Sequence, residues 1–235
     1  MGSNPNVSPV AVVTGGTAGL GLEVARALLR DGWAVVLDGR RPDRVGDALD
    51  QLSPLGPVVG LIGDVTDPGH RTDLVAAAVR LGPVRLVVNN ASTLGVSPLQ
   101  PLDSVDPDVL TRTFATNVVA PLALVAELAR HLGDGAVIVD VSSDAAVEAY
   151  ETWGPYGASK AALDHAGRVL AAEHPTWRVL SVDPGDMRTR MHQDAFPDED
   201  ITDRPLPVDS IPGLLALVKG SQPSGRYLVK AVTPA

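Results

Sequence analysis

The sequence predicts an α/β fold: a doubly wound parallel sheet with helices on both faces. Three observations predict it. Short Val-rich runs alternate with longer helical patterns along the chain. Aromatic residues are 3 % of the sequence against 45 % hydrophobic, so the core must be Val, Leu and Ala, as in strands covered on both faces. A glycine-rich turn joins the first strand pattern to the first helical one, where such folds open a helix N-terminus.

The elements follow in order. Val10–Thr14 is a continuous apolar run and the first strand, and Leu20–Arg30 is the first helix. Ala34–Leu37 is the second strand, followed by a helix over Arg41–Leu52. Val58–Ile62 leads into the helix Gly69–Leu81, and Leu86–Asn89 into a long helix over Asp108–His131. Ala136–Val141 precedes the helix Tyr156–Glu173; Arg178–Val182, the helix Ile211–Lys219 and a last strand Arg226–Val229 complete the chain. Asp194–Pro212, Pro-rich and acidic, is the one long irregular segment, read as part of a lid over about Met187–Pro212. The 235 residues fit one domain, residues 10–235, behind a short polar leader, residues 1–9.

Composition narrows the function. A formal charge of −9 with no basic run argues against nucleic acid and anionic membranes. No uninterrupted apolar stretch reaches the roughly 18–20 residues of a bilayer span. Met1–Pro9 lacks the apolar centre of a signal peptide. With no cysteine, disulfides, thiolate catalysis and Cys-ligated zinc are excluded, and the expected location is the cytoplasm.

Tyr156 and Lys160 stand one helical turn apart and share a face, and Ser143 precedes Tyr156 by thirteen residues. An ammonium that close is expected to lower the phenol from its ordinary value of about 10. A phenol so tuned can exchange a proton with a carbonyl oxygen. The Ser143 hydroxyl can polarise the same oxygen. Ser142 is the alternative, and the spacing selects Ser143.

Thr14-Gly15-Gly16-Thr17-Ala18-Gly19-Leu20-Gly21 can bring backbone N–H groups against a pyrophosphate. It lacks Gly-Lys-Ser/Thr, so it is no nucleoside-triphosphate loop. The second strand ends Asp38-Gly39-Arg40-Arg41. Glycine at 39, where a ribose-binding acid is expected, clears room for a 2′-phosphate facing Arg40 and Arg41. NADP(H) is therefore favoured. A register shift of one would make Asp38 the ribose ligand and leave NAD(H) possible.

Loop, Asn89-Asn90-Ala91 and Tyr-x-x-x-Lys stand in order along one chain. This resembles the short-chain dehydrogenase/reductase family in its compact form, over Val10 to about Val232. The resemblance implies a Rossmann-like seven-stranded sheet of order 3-2-1-4-5-6-7. It implies a hydride transfer between nicotinamide and a carbonyl or secondary alcohol, with a small-molecule substrate and a homodimer or homotetramer built on the fourth and fifth helices.

On the matching positions, Thr14, Gly15, Thr17, Gly19, Leu20 and Gly21 belong to the cofactor loop, and Asp64-Val65 contact the adenine. Asn89 steadies sheet and loop, while Asn90 and Ala91 line the cofactor site. Pro184, Gly185, Met187 and Thr189 hold the nicotinamide. Asn117, Ser143, Tyr156 and Lys160 are catalytic, with Asn117 kinking its helix and holding a water near Lys160. Ser92 stands where the family usually has glycine, and Met187 where it often has Ile or Val.

Other residues read more plainly. Ser159 is a packing residue, and Tyr150 and Trp153 line or pack the pocket loop. The five histidines lack metal-ligand spacing; His192 sits in the lid near substrate, and the others are surface or helix-end residues. Asp198-Glu199-Asp200 is a solvated loop. Competing functions are a non-catalytic dinucleotide-binding regulator and a nucleotide-sugar epimerase or dehydratase, which carries a larger C-terminal domain.

Overall fold

The computed structural model describes residues 8–232, so the expected leader lies outside the described residues except for Ser8 and Pro9. Seven strands form one parallel sheet: β1 Val10–Val13, β2 Ala34–Gly39, β3 Val58–Ile62, β4 Val84–Asn89, β5 Val137–Val141, β6 Arg178–Asp183 and β7 Gly225–Leu228. Their order is β3-β2-β1-β4-β5-β6-β7, as expected. Val13 aligns with Leu37 on one side and Val88 on the other, so β1 and β4 end together at the point where the winding reverses. Ligands of such sheets bind in the crevice at that switch point.

The helices are α1 Gly19–Arg30, α2 Pro42–Leu52, α3 Pro68–Leu81, α4 Pro107–Phe114, α5 Ala120–Leu128, α6 Gly154–Glu173, α7 Arg190–Ala195 and α8 Ile211–Lys219. Strand alternation divides the core in two. Ala11 and Val13 face a layer with Leu20, Val24, Leu28 and Leu214, while Val10 and Val12 face one with Leu74, Leu124, Leu128 and Ile138. Each fully buried Leu or Val contributes roughly 1.5–3 kcal/mol.

The helix expected over Asp108–His131 is not uniform. A π-helical turn, Ala115–Val119, separates α4 from α5, and a 3₁₀ turn, Ala129–His131, ends the run. Pro121 explains the break. It has no N–H to give the carbonyl of residue 117, and its ring crowds that carbonyl. The helical run Pro107–His131 has the length and apolarity of a bilayer span, at 25 residues, yet its Leu124, Val125 and Leu128 pack in the second core layer. Part of the expected lid is α7, six residues capped by the Thr189 hydroxyl, which accepts the His192 N–H at 3.2 Å. A helix so short shows no periodicity.

Candidate active site

The glycine turn opens α1. Gly15 and Gly19 have φ of +63° and +54°, a region that favours glycine. A Cβ on Gly21 would lie 2.5 Å from both Asn90 Nδ2 and the Gly15 carbonyl oxygen. No side chain caps α1, so its first N–H groups are free to face an anion. The Thr14 hydroxyl, buried, accepts the N–H groups of Asn90 and Ala91 at 3.1 Å each. Asn90 Nδ2 donates to the carbonyls of Thr14 and Gly15. The role expected of Asn89 is therefore divided. Asn89 donates across the sheet to Asp140 Oδ1 at 2.7 Å, and Asn90 holds the loop. This cradle, closed to a Cβ at Gly16 and Gly21 and lined by backbone donors, fits a dinucleotide pyrophosphate.

At the end of β2 the carboxylate of Asp38 is turned inward, 2 % exposed. Its Oδ1 accepts the Gly15 N–H at 2.6 Å and its Oδ2 lies 3.0 Å from His70 Nε2. Both oxygens of Asp38 are thus engaged by the turn and by His70. Gly39 sits against Thr17, where a Cβ would lie 2.6 Å from Thr17 Cγ2. Arg40 is exposed, with Nη1 3.9 Å from Asp64 Oδ2. Arg41 is drawn instead to Asp43 at the start of α2. Burial pushes the Asp64 carboxyl up, but the Thr66 N–H and hydroxyl outweigh it and leave it below its ordinary value.

On α6, Tyr156 and Lys160 are 8 % and 2 % exposed. The Lys160 ammonium donates to the Val141 carbonyl at 2.7 Å and lies 5.5 Å from the centre of the Tyr156 ring. Its hydrogen bond is thus to the strand, with the Tyr156 ring beside it. The expected lowering of the phenol is not found. Burial raises Tyr156 well above its ordinary value, with the Ser143 hydroxyl acting in the opposite sense. Burial also lowers Lys160 to about 8, against the opposing pull of Asp140 and Asp164. Ser143 caps a 3₁₀ turn, Asp144–Ala146; its hydroxyl accepts the Ala145 N–H at 3.2 Å and donates to Asp144 Oδ1 at 3.0 Å. Ser142 points away, donating to Asp164 Oδ2 at 2.9 Å.

Asn117 lies in the π turn, 1 % exposed. Its Oδ1 accepts from the Thr93 N–H and the Ser92 hydroxyl, and its Nδ2 donates to the Thr93 carbonyl and Ser159 Oγ. Both ends of the side chain are thus engaged in clamping the loop after β4 to α6, and the amide is not directed at Lys160. Ser92, where the resemblance led one to expect glycine, supplies one of those bonds. Ser159 is buried and polar rather than inert packing, donating to the Tyr156 carbonyl at 2.7 Å.

One cleft of about 1010 Å³ joins these parts. It is lined by Gly15, Thr17, Gly19, Leu20, Arg40, Arg41, Asp64, Val65, Asn90, Ala91, Ser143, Tyr156, Lys160, Pro184, Gly185, Met187 and Thr189. Thr14, Gly21 and Asn117 stand behind its wall. Trp153 packs edge-on against Tyr156 at 5.6 Å and against Phe196 at 5.8 Å, closing the substrate end with Leu94 and Ala195. His192 reaches the same end, its ring 5.0 Å from Phe196 and Nδ1 3.9 Å from Asp186. Asp198, Glu199 and Asp200 are exposed. Among the described residues no cluster of His, Asp or Glu could hold a metal.

Three functional-looking residues were not singled out from sequence. His70, expected at a surface or helix end, is buried against Asp38. Asp140 is buried beside the lysine's strand, and burial raises it to about 6. Arg226 of β7 ties Asp164 to Asp183 and also donates to the Ser143 carbonyl, bracing the serine from below. Only Arg226 carried a signal, as a cation in an otherwise apolar strand run.

The family model described as short chain dehydrogenase matches residues 9–200. The chain is 32 % identical over 199 residues to sepiapterin reductase of Xenopus tropicalis, covering 79 % of this chain and 76 % of that one. It is 36 % identical over 195 residues to dehydrogenase/reductase SDR family member 4 of Bos taurus, covering 79 % and 68 %. Among solved structures, a short chain dehydrogenase of Escherichia coli CFT073 complexed with NADPH superposes with a TM-score of 0.83 at 26 % identity, covering 97 % and 100 %.

Proposed function

Since the chain belongs to the short-chain dehydrogenase/reductase family, we propose that it is an NADPH-dependent reductase of ketones or aldehydes, working through Ser143, Tyr156 and Lys160. One observation carries the reading: the Tyr156 and Ser143 hydroxyls and the glycine turn open on the same cleft. When bound, the nicotinamide supplies the hydride chemistry. Ser143 donates a hydrogen bond to the substrate oxygen, giving up its present bond to Asp144. Tyr156, kept protonated at neutral pH by burial, gives its proton to that oxygen. A protonated phenol is the form reduction needs. Lys160 holds a positive charge against β5 and would bind the ribose hydroxyls of the coenzyme. Asn117 positions the loop after β4 rather than touching the reacting atoms.

The coenzyme preference is supported by the inward turn of Asp38, the bare backbone at Gly39 and the exposed Arg40. NADPH oxidation should appear with activated ketones or diones, and Arg40→Ser should raise the KM for NADPH roughly 10–100-fold, as expected for a bond between charged groups, with little effect on NADH. A lower KM for NADH in the unaltered protein would overturn the preference.

A homodimer or homotetramer in the cytoplasm belongs to the same reading. Leu124 and Leu128 of α5 face the core and are not offered to a partner. The exposed apolar side chains there are Val119, at 60 %, and Val169 on α6, at 45 %. Gel filtration is expected to show a multiple of the 24.4 kDa chain, and elution as a monomer would reject the assembly.

A further inference from the structure

Asp38 and His70 make a buried pair that the proposed chemistry does not use. Asp38 accepts the Gly15 N–H through its carboxylate at 2.6 Å and the Gly16 N–H through its main-chain carbonyl at 3.0 Å. It is thus the anchor of the phosphate turn. His70 reaches its second oxygen from the first turn of α3, at 3.0 Å, and packs so closely under Gly63 that no Cβ fits there. Gly39 and Arg40, the next two residues, line the cleft where a 2′-phosphate would sit. With His70 neutral, the pair leaves one buried negative charge behind the turn. With His70 protonated, the pair sums to zero.

We propose that His70 is a positioning residue for coenzyme selectivity: protonated, it cancels the Asp38 charge and admits the 2′-phosphate of NADPH; neutral, it leaves an anion that favours NADH. The inference rests on the NADPH reading above. The carboxylates facing His70 all favour its charged form: Asp38 from β2, Asp64 from the loop after β3, and Asp67 and Asp73 on α3. The nearest cations bear on it less. Arg71 is turned to the Val65 carbonyl and Glu127, and Arg40 is exposed beside Asp64. The hydrogen bond to Asp38 raises the imidazole above its ordinary value, with burial opposing. The protonated pair is therefore fully formed below the ordinary imidazole value of about 6.5 and is lost as pH rises through the raised one.

The test is binding of NADPH and NADH to the purified protein by calorimetry between about pH 6 and pH 9, spanning imidazole titration. The ratio of the NADPH Kd to the NADH Kd is expected to rise about three- to tenfold over this range in the unaltered protein, the effect of one unit charge at close range in a partly shielded site. Asp38→Asn keeps an acceptor for Gly15 but removes the partner that holds the buried His70 protonated, so the imidazole stays neutral and the ratio should lack that rise. His70→Gln keeps a donor without titrating, and its ratio should stay at the high-pH level throughout. The same pH dependence in all three proteins would overturn the proposal. Should either variant fail to fold, the unaltered protein decides alone: by reciprocity NADPH must raise the His70 pKa, read by NMR, more than NADH does. Equal shifts would overturn it. Tighter NADH binding at every pH would defeat the coenzyme preference instead, because the proposal is read from the change in the ratio and not its starting value.

Discussion

Tyr156→Phe is expected to lower kcat by roughly 10²–10⁴-fold, the usual contribution of a positioned proton donor. The ring keeps its edge-on contact with Trp153 and its buried place on α6, so the cleft keeps its shape. Only the hydroxyl is lost, and its partner is the Ser143 side chain. The NADPH Kd should therefore change by less than about twofold, the pattern of an interaction made only in the transition state. Steady-state kinetics and a coenzyme titration on the same preparation check both halves. Normal turnover in the variant would remove Tyr156 from the chemistry and the proposed reaction with it. Weakened coenzyme binding without loss of kcat would make the phenol a ribose contact alone.

What could be read from sequence here was local. The glycine turn, the Tyr–Lys spacing and the Val-rich strands each declare themselves within a few residues, and the sheet order came with the family resemblance. Individual pairings with partners far along the chain were less legible. Tyr156 and Lys160 share a face, but the ammonium's hydrogen bond goes to the Val141 carbonyl, nineteen residues away, and burial rather than the ammonium dominates the phenol. His70 stands at a helix end, as expected, but its burial against Asp38, thirty-two residues distant, was not legible. The partners of the Asn117 amide, Ser92, Thr93 and Ser159, were not legible either, since only the fold brings them together. Pro121 is the exception: its effect on residue 117 follows from the i−4 rule and was legible.

Lys160→Met is expected to abolish turnover and weaken coenzyme binding while leaving the fold at least as stable at neutral pH. The ammonium is 2 % exposed, with one hydrogen bond and the buried carboxylates of Asp140 and Asp164 as counter-charge. Burial lowers it from 10.5 to about 8, so the folded state holds this proton less tightly than the unfolded chain. The cost is fully present below pH 8 and vanishes above 10.5; the difference, 10.5 − 8 = 2.5, corresponds to on the order of 3 kcal/mol. Methionine has similar length and no charge to desolvate. Asp140, already raised to about 6 by burial, loses an opposing cation, rises further and takes up a proton rather than remaining as an uncompensated anion. Thermal unfolding at neutral pH should then show the variant level with or above the unaltered protein, the gap narrowing as pH rises from 8 toward 10.5. A variant that unfolds would make the lysine a structural residue, and one that turns over normally would place it outside the reaction. A buried cation that costs stability is retained for what it does in the cleft, and the stability and kinetic measurements together separate that role from packing.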